Sequence, residues 1–284
     1  MRSAAFKTAV LLLLIAAACA VRAQSYIGFD RNDYPGDAAL KALRREFRYT
    51  GYWLNNPPGE TANSWTGKRA ILKRYGFGFL VLFNGRLDRD LKGKDAATIG
   101  TADGNAAVAD ALREGFPPNV LIFLDQEEGG RLLPEQTAYL FAWIGAVRAA
   151  GARPGVYCSG IKVPDGNQTI STAQYIVAME EDQTQNSPKD QSAERLPLWI
   201  AIDECPPSPG CTLAPPGKMA LDPTEPAFIA AWQYAQSPRR PQFSAECPRN
   251  AAPDGNCYAP GMPPGVKISV DLNVADSPDP SEAP

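Results

Sequence analysis

Short apolar runs alternate along the chain with longer segments in which apolar residues recur at helical spacing. The runs are rich in Val, Ile, Leu and Phe and are bounded by Gly, Pro or Asn, a pattern typical of strands buried on both faces. Residues 120–124, between Pro117-Pro118 and Gly129-Gly130, are the clearest example. The pattern predicts eight strands, at 26–30, 49–54, 78–84, 120–124, 154–158, 198–203, 231–234 and 266–271.

Between these strands, apolar residues three and four positions apart predict helices at 36–47, 66–75, 101–114, 134–150 and 169–179. The helix at 134–150 has the clearest ends, because Pro134 stands in its first turn and Gly151 follows its last residue. The polar stretch 85–100 and the Pro-rich stretch 205–226 predict loops. Strands that alternate with helices in this way indicate a parallel sheet.

Eight strands with mostly helical connections predict an α/β protein with a single (β/α)8 barrel of the TIM type over residues 24–275. The later connections lack clear amphipathic helices, so the second half of the barrel is expected to be irregular. A doubly wound open sheet is the alternative, but it would place a Gly-rich phosphate-binding loop where the chain has Asp-Arg-Asn-Asp-Tyr-Pro at 30–35. Residues 276–284 are acidic and rich in Pro and are predicted to be a disordered tail.

Acidic residues stand at the ends of four predicted strands. The carboxyl ends of parallel barrel strands share one face, so these acids are expected to converge there: Asp30, Asp125, Asp203 and Asp271. Glu127 points to the same side as Asp125, since side chains alternate along a strand. Crowding and partial burial raise the pKa of at least one acid, which leaves a protonated acid beside ionised partners. Glycoside cleavage needs that arrangement.

Each of these acids also has a purely structural interpretation. An Asp-x-Glu sequence after a core strand is often only a solvated loop. Acids at strand ends also cap helices or pair with arginines, here Arg31 or Arg131. We expect such a structural role for Asp203 and for Glu128, which should face away from Glu127.

The chain contains no histidine among its 284 residues. Catalysis by Ser-His or Cys-His pairs is therefore excluded, as is any metal held by histidine. General acid–base chemistry must use a carboxylate or, less often, Tyr, Lys or Cys. No metal and no cofactor are predicted. A hard cation held by the oxygens of Asp30, Asp125, Glu127 and Asp271 is kept as a distant alternative, that of a metal-dependent hydrolase.

Aromatic and amide side chains near the same rim are expected to contact a sugar, since aromatic rings stack on sugar C–H faces and amides match hydroxyls. Core packing is the alternative for each aromatic. Alternation limits the set, because Tyr52 and Trp53 point in opposite directions, as do Trp232 and Gln233. The predicted substrate contacts are Tyr52, Asn84, Tyr157, Asp203, Trp232 and Gln233, with Trp53, Tyr234 and Asn273 near the same face.

Residues 1–23 are predicted to be a secretory signal peptide cut before Gln24, because Arg2 and Lys7 precede a short apolar run. Lipidation at Cys19 and a retained membrane anchor are weaker alternatives, since the run is short for a membrane span. The mature chain would be secreted or periplasmic. Loss of the leader changes the net charge from −3 to −6, which disfavours nucleic acid as a partner.

Five cysteines remain after the leader. Cys205 and Cys211 flank one short Pro-rich stretch, and Cys247 and Cys257 flank another. In a secreted protein this spacing predicts two local disulfides, one within each stretch. Cys158 lies in a predicted strand and is expected to be a buried thiol.

Five short motifs occur in the order found in the lysozyme-like muramidases of glycoside hydrolase family 25. They are Ile-Gly-Phe-Asp at 27–30, Leu-Asp-Gln-Glu at 124–127, Gly-Val-Tyr-Cys at 155–158, Trp-Gln-Tyr at 232–234 and Val-Asp-Leu-Asn at 270–273. The front half resembles more closely the uncharacterised glycoside-hydrolase-like domain of secreted bacterial proteins, through Gly-Thr-Ala-Asp-Gly-Asn-Ala-Ala at 100–107. The resemblance covers residues 26–275.

The resemblance implies a (β/α) barrel with an acidic crevice for peptidoglycan or a similar polysaccharide. It implies that Glu127 is the proton donor, like the Glu of the Asp-x-Glu motif in the muramidases. The other acids of that family are matched by Asp30, Asp125 and Asp271. Three longer or more polar segments depart from the pattern and would reshape or block the groove: 161–197, 205–226 and 237–265.

A secreted glycoside hydrolase acting on a cell-wall or related polysaccharide is the leading hypothesis. Glu127 would protonate the leaving oxygen, while Asp125 or Asp271 would act as base or hold a substrate acetamido group that itself attacks. Asp30 would tune this pair electrostatically. The alternative is a non-catalytic carbohydrate-binding or cell-envelope interaction protein on the same barrel. A loop or an arginine (Arg86 or Arg131) that plugs the crevice would favour it.

Overall fold

A computed structural model describes residues 24–186, 195–216 and 228–282. The predicted signal peptide, 1–23, and residues 283–284 of the predicted tail lie outside the described residues. The strands are β1 Tyr26–Asp30, β2 Tyr49–Trp53, β3 Gly78–Asn84, β4 Leu121–Gln126, β5 Arg153–Ser159, β6 Val163–Asp165, β7 Gln168–Ile170, β8 Leu198–Ala201, β9 Ile229–Ala235 and β10 Asp271–Ala275. The short strands β6 and β7 form a separate hairpin, and the other eight close into one barrel.

The order around the barrel is β1-β2-β3-β4-β5-β8-β9-β10, and β10 returns to β1. Neighbours from β1 to β9 are parallel, which confirms the predicted α/β barrel of the TIM type. Strand β10 runs antiparallel to both β1 and β9. The predicted strand 266–271 is therefore wrong in position and direction, because Asp271 begins β10 instead of ending a strand. The reversal still places Asp271 directly opposite Asp30 in the β1–β10 register.

The helices are α1 Leu40–Glu46, α2 Arg69–Tyr75, α3 Asp88–Leu91, α4 Ala96–Arg113, α5 Pro134–Ala149 and α6 Thr172–Asn186. The loop predicted at 85–100 is wrong, because α3 and the first turn of α4 lie there. Asp95 caps α4, since its side chain accepts hydrogen bonds from the backbone N–H of Thr98 at 3.1 Å and from its hydroxyl at 2.7 Å. None of the helices in the described ranges is both long and apolar enough to cross a membrane.

Helices α4 and α5 pack with their backbones in close approach. A Cβ on Gly100 would stand 2.2 Å from the carbonyl oxygen of Tyr139, and one on Gly104 would stand 2.7 Å from another carbonyl oxygen of α5. Between these glycines, Asp103 accepts hydrogen bonds from the Tyr139 hydroxyl at 2.9 Å and from Nε of Arg86 at 2.7 Å. The sequence 100–107 therefore has a structural function, which is to seat α4 on α5.

Apolar strand residues fill the barrel and the layer between barrel and helices. Phe29, Val81, Phe123 and Trp199 are fully buried. The rings of Phe123 and Trp199 meet edge to face with centroids 5.8 Å apart. The interior below the carboxyl ends of the strands is thus a packed core.

Two disulfides stabilise the second half of the barrel. Cys205 pairs with Cys247, and Cys211 pairs with Cys257. Both cross-links join the loop after β8 to the loop after β9, so the predicted pairing within each loop is wrong. The prediction of an irregular second half held by disulfides is confirmed. Cys158 is buried in β5, outside both disulfides.

Residues 276–282 pack against the barrel at the end where β3 and β4 begin. Ser281 is fully buried, and its hydroxyl oxygen accepts a hydrogen bond from the backbone N–H of Val81 at 2.9 Å. Its own N–H donates to the carbonyl of Phe79, and its carbonyl accepts from the N–H of Leu121, both at 2.9 Å. The prediction of a disordered tail is therefore wrong for 276–282, because its polar groups complete the backbone hydrogen bonding of two core strands.

Candidate functional site

The carboxyl ends of the parallel strands and the start of β10 surround an open cleft of about 310 Å³. Part of its wall is aromatic, with the rings of Tyr157 and Trp199 at a centroid distance of 4.9 Å. The lining residues are Asp30, Arg31, Asn32, Asp33, Trp53, Leu82, Asp125, Glu127, Tyr157, Trp199, Gln233, Gln236, Ser237, Ser269, Val270 and Asp271.

The cleft brings together all four acids that the sequence nominates as catalytic. Asp30 ends β1, Asp125 lies near the end of β4 with Glu127 just beyond it, and Asp271 begins β10. Asp33, which the sequence analysis did not nominate, is a fifth acid of the lining. Residues far apart in the chain thus supply carboxyl groups to one crevice, while their catalytic roles stay predictions.

Asp30 is held by a chain of hydrogen bonds across the barrel. Its Oδ1 accepts from Nδ2 of Asn273 at 2.6 Å and from Nε2 of Gln233 at 3.1 Å. The Tyr157 hydroxyl donates to Oε1 of Gln233, and Nε1 of Trp199 donates to Oδ1 of Asn273, both at 2.8 Å. These bonds orient both amides so that their N–H groups face Asp30. Burial nevertheless raises the pKa of Asp30 to about 6, against the lowering effect of the two amides.

Strand β2 leaves space for Asp30 by carrying a glycine beside it. A Cβ on Gly51 would stand 2.6 Å from Cβ of Asp30 and 3.3 Å from its Cα. Atoms so close to the backbone have no room to move aside. A side chain at position 51 would therefore displace Asp30 from its two amide partners.

Strand β4 supplies one buried acid and one reachable acid. Asp125 is buried, and neither of its carboxyl oxygens has a hydrogen-bond partner among the described residues. Burial raises its pKa well above the usual range, and the charges of Glu127 and Asp30 raise it further. Glu127 is exposed on the open side of the cleft, yet desolvation by the surrounding protein still raises its pKa. This pair can hold a proton at a pH where an ordinary carboxyl group has lost it.

Asp271 completes the acidic group from the opposite side of the barrel. Its Oδ1 accepts a hydrogen bond from the backbone N–H of Ser237 at 2.7 Å. Burial raises its pKa well above the usual range, and the charge of Asp30 adds to the effect. The acids of the cleft therefore hold their protons to a higher pH than ordinary carboxyl groups do.

In each of the two pairs of neighbouring residues predicted near the rim, one side chain lines the cleft and the other points away from it, as alternation along a strand requires. Trp53 lines the cleft, whereas the hydroxyl of Tyr52 donates to the carbonyl of Trp65 at 2.8 Å, away from the cleft. Gln233 lines the cleft, whereas Trp232 is buried and its Nε1 donates to a backbone carbonyl at 3.1 Å. The predictions of Tyr52 and Trp232 as substrate contacts are therefore wrong, because period-two alternation fixes opposite directions but not which residue faces inward.

Two further predicted contacts also lie away from the cleft. Nδ2 of Asn84 donates to a backbone carbonyl in the loop after β2 at 2.8 Å. Asp203 is buried in an ion pair with Arg240. Glu128 accepts a hydrogen bond from the backbone N–H of Asp88, at the start of α3, at 2.7 Å. The structural roles expected for Asp203 and Glu128 are thus confirmed, with partners other than Arg31 and Arg131. Of the six predicted contacts, those that line the cleft are Tyr157 and Gln233.

The sequence analysis overlooked several lining residues. Ser237 and Ser269 lie on loops without periodicity, so no pattern could have pointed to them. Trp199 sits in a short predicted strand and could have been nominated by its size. Arg86 and Arg131, proposed as plugs of the crevice, instead form ion pairs outside it, with Asp103 and Asp165. Within the described ranges, no three His, Cys, Asp or Glu side chains form a group that could hold a metal ion.

Three solved structures of bacterial proteins are similar to this chain. An uncharacterised protein of B. stearothermophilus is 20% identical with a TM-score of 0.53, over 88% of this chain and 95% of that one. The Tat-secreted protein Rv2525c of Mycobacterium tuberculosis is 13% identical with a TM-score of 0.47, over 92% and 100%. The lysozyme of Streptomyces coelicolor is 12% identical with a TM-score of 0.46, over 88% and 91%. At 20% identity, the match to the B. stearothermophilus protein shows the fold alone.

A search of the curated proteins finds no match to the chain. A family model does match: that of the Rv2525c-like, glycoside hydrolase-like domain, over residues 48–201. The match spans more than half of the chain and runs from β2 to β8, and so includes Asp125 and Glu127. The chain belongs to the family of Rv2525c-like, glycoside hydrolase-like domains.

Proposed function

We propose that the protein hydrolyses glycosidic bonds in peptidoglycan or a related polysaccharide. The observation that carries the proposal is the meeting of Asp30, Asp125, Glu127 and Asp271 in one open cleft, with a raised pKa at each. Glycoside hydrolysis needs one carboxyl group that keeps a proton and another that acts in its ionised form. The family description, glycoside hydrolase-like, agrees with that chemistry.

Glu127 is assigned the role of general acid. It is the exposed member of the pair on β4, so a glycosidic oxygen can reach it, and its raised pKa favours the protonated form. Proton transfer from Glu127 to the leaving oxygen would break the bond, and water would supply the new hydroxyl at the sugar carbon. Asp125 or Asp271 would serve as base or would hold an attacking acetamido group of the substrate. Asp30, which two amide side chains hold in place, would act through its charge on the pKa of the other acids.

The proposed place of action is outside the cytoplasm. Two disulfides join the loops of the second half, and disulfides persist in secreted and periplasmic proteins. The predicted leader at 1–23 agrees with that location. A polysaccharide of the cell envelope would then be the substrate within reach.

The assignment is tested by the loss of turbidity of purified cell walls and by the release of reducing ends. Glu127→Gln should lower the rate about 100-fold or more, because it removes the proton donor while it keeps the shape of the side chain. Glu128→Gln is the matched control, since it removes the adjacent negative charge outside the cleft. It should retain most of the activity.

Equal activity of the wild type and Glu127→Gln would contradict the assignment. If no polysaccharide is cleaved, calorimetry with the same glycans distinguishes two remaining outcomes. Affinity without product would mean that the cleft binds a glycan without hydrolysing it. If the protein neither binds nor cleaves any of these glycans, a polysaccharide is not its substrate.

A further inference from the structure

Arginines follow four of the barrel strands, and Arg31 is the one of these four that lines the cleft. Arg86, Arg131 and Arg240 come after β3, β4 and β9, and each forms an ion pair with a carboxylate. Arg31 comes directly after β1 and forms no ion pair within 4 Å and no side-chain hydrogen bond among the described residues. Its Nε is buried without a hydrogen-bond partner. A guanidinium group in this state has donors available for a ligand.

The backbone around Arg31 is held in place by two indole rings. Nε1 of Trp53 donates a hydrogen bond to the carbonyl of Arg31 at 3.1 Å, and Nε1 of Trp65 donates to the carbonyl of Asn32 at 2.7 Å. Nδ2 of Asn32 donates in turn to the carbonyl of Pro58 at 3.1 Å. Arg31 therefore extends into the cleft from a fixed segment, which lowers the entropy cost of holding a ligand.

Arg31 shares the cleft with acids but forms no ion pair with any of them. It is the one basic side chain among the described lining residues, which include five acids. Asp33 and Asp271 are the acids that act on its charge, and neither comes within ion-pairing distance.

We propose that Arg31 determines specificity by binding a carboxylate that a sugar unit of the substrate carries. The planar guanidinium group presents paired N–H donors that match the two oxygens of a carboxylate. The substrate class would then be an acidic glycan, bound with its carboxylate at Arg31 and its scissile bond at Glu127. This inference rests on the proposed function and narrows its substrate.

A second interpretation of Arg31 makes a different prediction. If Arg31 acts only through its charge on Asp33 and Asp271, its loss changes the ionisation of the cleft for every substrate alike. If it binds a substrate carboxylate, its loss matters far more for an acidic glycan than for a neutral one. A comparison of two substrates with two enzymes therefore isolates the contact.

The experiment uses an acidic oligosaccharide and its derivative in which the carboxylate has been reduced to a primary alcohol. Wild type, Arg31→Gln and Arg31→Lys are compared by kcat/KM on both. Arg31→Gln should lose about tenfold more on the acid than on the alcohol, because a charge-assisted bidentate contact is removed. Arg31→Lys should fall between, since Lys keeps the charge but not the fork of donors.

Equal losses on the two substrates would overturn the proposal. Stronger dependence on Arg31 when the sugar carboxylate is amide-linked to a peptide would also overturn it, since the bound carboxylate would then belong to the peptide. Calorimetry on the same set separates this inference from the proposed function. A difference in affinity without any product would contradict hydrolysis but support Arg31, whereas product formation without a difference would contradict Arg31 alone.

Discussion

From β1 to β5 the barrel strands are parallel and their connections carry helices, whereas the described residues after β8 (202–216) and after β9 (236–270) form loops that two disulfides join. In the first half, α4 and α5 approach so closely that Gly100 has no room for a Cβ. In the second half, the connection 236–270 has a short 3-10 helix at Pro241–Glu246 and one isolated bridge, between Tyr258 and Ser269. Packing stabilises one half, and covalent cross-links stabilise the other.

The site lies where the two halves meet. The first half contributes Asp30, Asp125 and Glu127, and the second contributes Asp271 with the amides of Gln233 and Asn273 that bond Asp30. The acids of the first half end regular strands, so their position follows from the barrel itself. Asp271 depends on the loops as well, because its carboxylate accepts from the backbone of Ser237. Disturbing either half should therefore affect stability and activity in different proportions.

The largest effect is expected from removal of a disulfide. Cys205→Ser/Cys247→Ser and Cys211→Ser/Cys257→Ser remove cross-links that span 42 and 46 residues. Spans so similar should cost nearly the same free energy of unfolding, about 4 kcal/mol each. Denaturant titration of the two double variants measures this.

Activity should distinguish these two variants. The N–H of Cys257 donates to the hydroxyl of Ser237 at 3.0 Å, and its carbonyl accepts from the N–H of Val270 at 2.8 Å. Both partners line the cleft, so loss of the Cys211–Cys257 disulfide should lower cell-wall hydrolysis, by up to about 100-fold. The variant without Cys205–Cys247 should lose less. Equal losses would mean that the cleft does not depend on Cys257 in particular.

The next largest effect is a fall in stability as the pH rises. It tests Asp30, which lies where the two halves of the barrel meet. Burial raises the pKa of Asp30 from 3.8 to about 6, so the folded protein retains a proton that the unfolded chain releases. The free energy of unfolding should then fall as the pH rises from about 4 to above 6, by roughly 3 kcal/mol for Asp30 alone. The raised pKa values of Asp125 and Asp271 extend the fall to higher pH.

Thermal unfolding from pH 4 to pH 8 tests this dependence. Asp30→Asn removes one titrating group and should reduce the fall between about pH 4 and pH 6, while the part due to Asp125 and Asp271 remains at higher pH. Asp33→Asn is the control, since it removes an exposed acid of the same cleft and leaves the buried carboxyl groups in place. A wild-type stability that rises with pH over this window would contradict the buried, protonated state of Asp30.

The first half was predictable because its order is periodic. Strands such as 78–84 show their burial as continuous apolar runs, and barrel topology then places Asp30, Asp125 and Glu127 on one rim. Alternation predicts that the side chains of Tyr52 and Trp53 point in opposite directions, but only packing decides which of them faces the cleft. The helix at 96–113 was partly missed, because its first turn directly follows a charged stretch and its start depends on the cap at Asp95.

The second half was less predictable because its order is not local. The prediction placed Asp271 at the correct rim, at the end of a parallel strand 266–271. The strand is 271–275 and antiparallel, so Asp271 begins it. Because the start of an antiparallel strand lies at the same rim as the end of a parallel one, the two errors cancel. The cysteines pair between loops, which spacing within the sequence cannot reveal. Arg31 was considered only as a partner for acids, since a sequence does not show whether an arginine is paired.

The smallest effect tests the close packing of the first half. Gly100→Ala would place a Cβ 2.2 Å from the backbone oxygen of Tyr139, which cannot rotate away, so α4 and α5 must separate. We expect the free energy of unfolding to fall by about 1–3 kcal/mol.

Gly145→Ala is the matched control. Gly145 lies on the exposed side of α5, and no heavy atom stands within 4 Å of the added carbon. It should stabilise the helix by up to about 1 kcal/mol. If urea titration shows the two alanine variants equally stable, close packing of α4 on α5 is not what stabilises the first half.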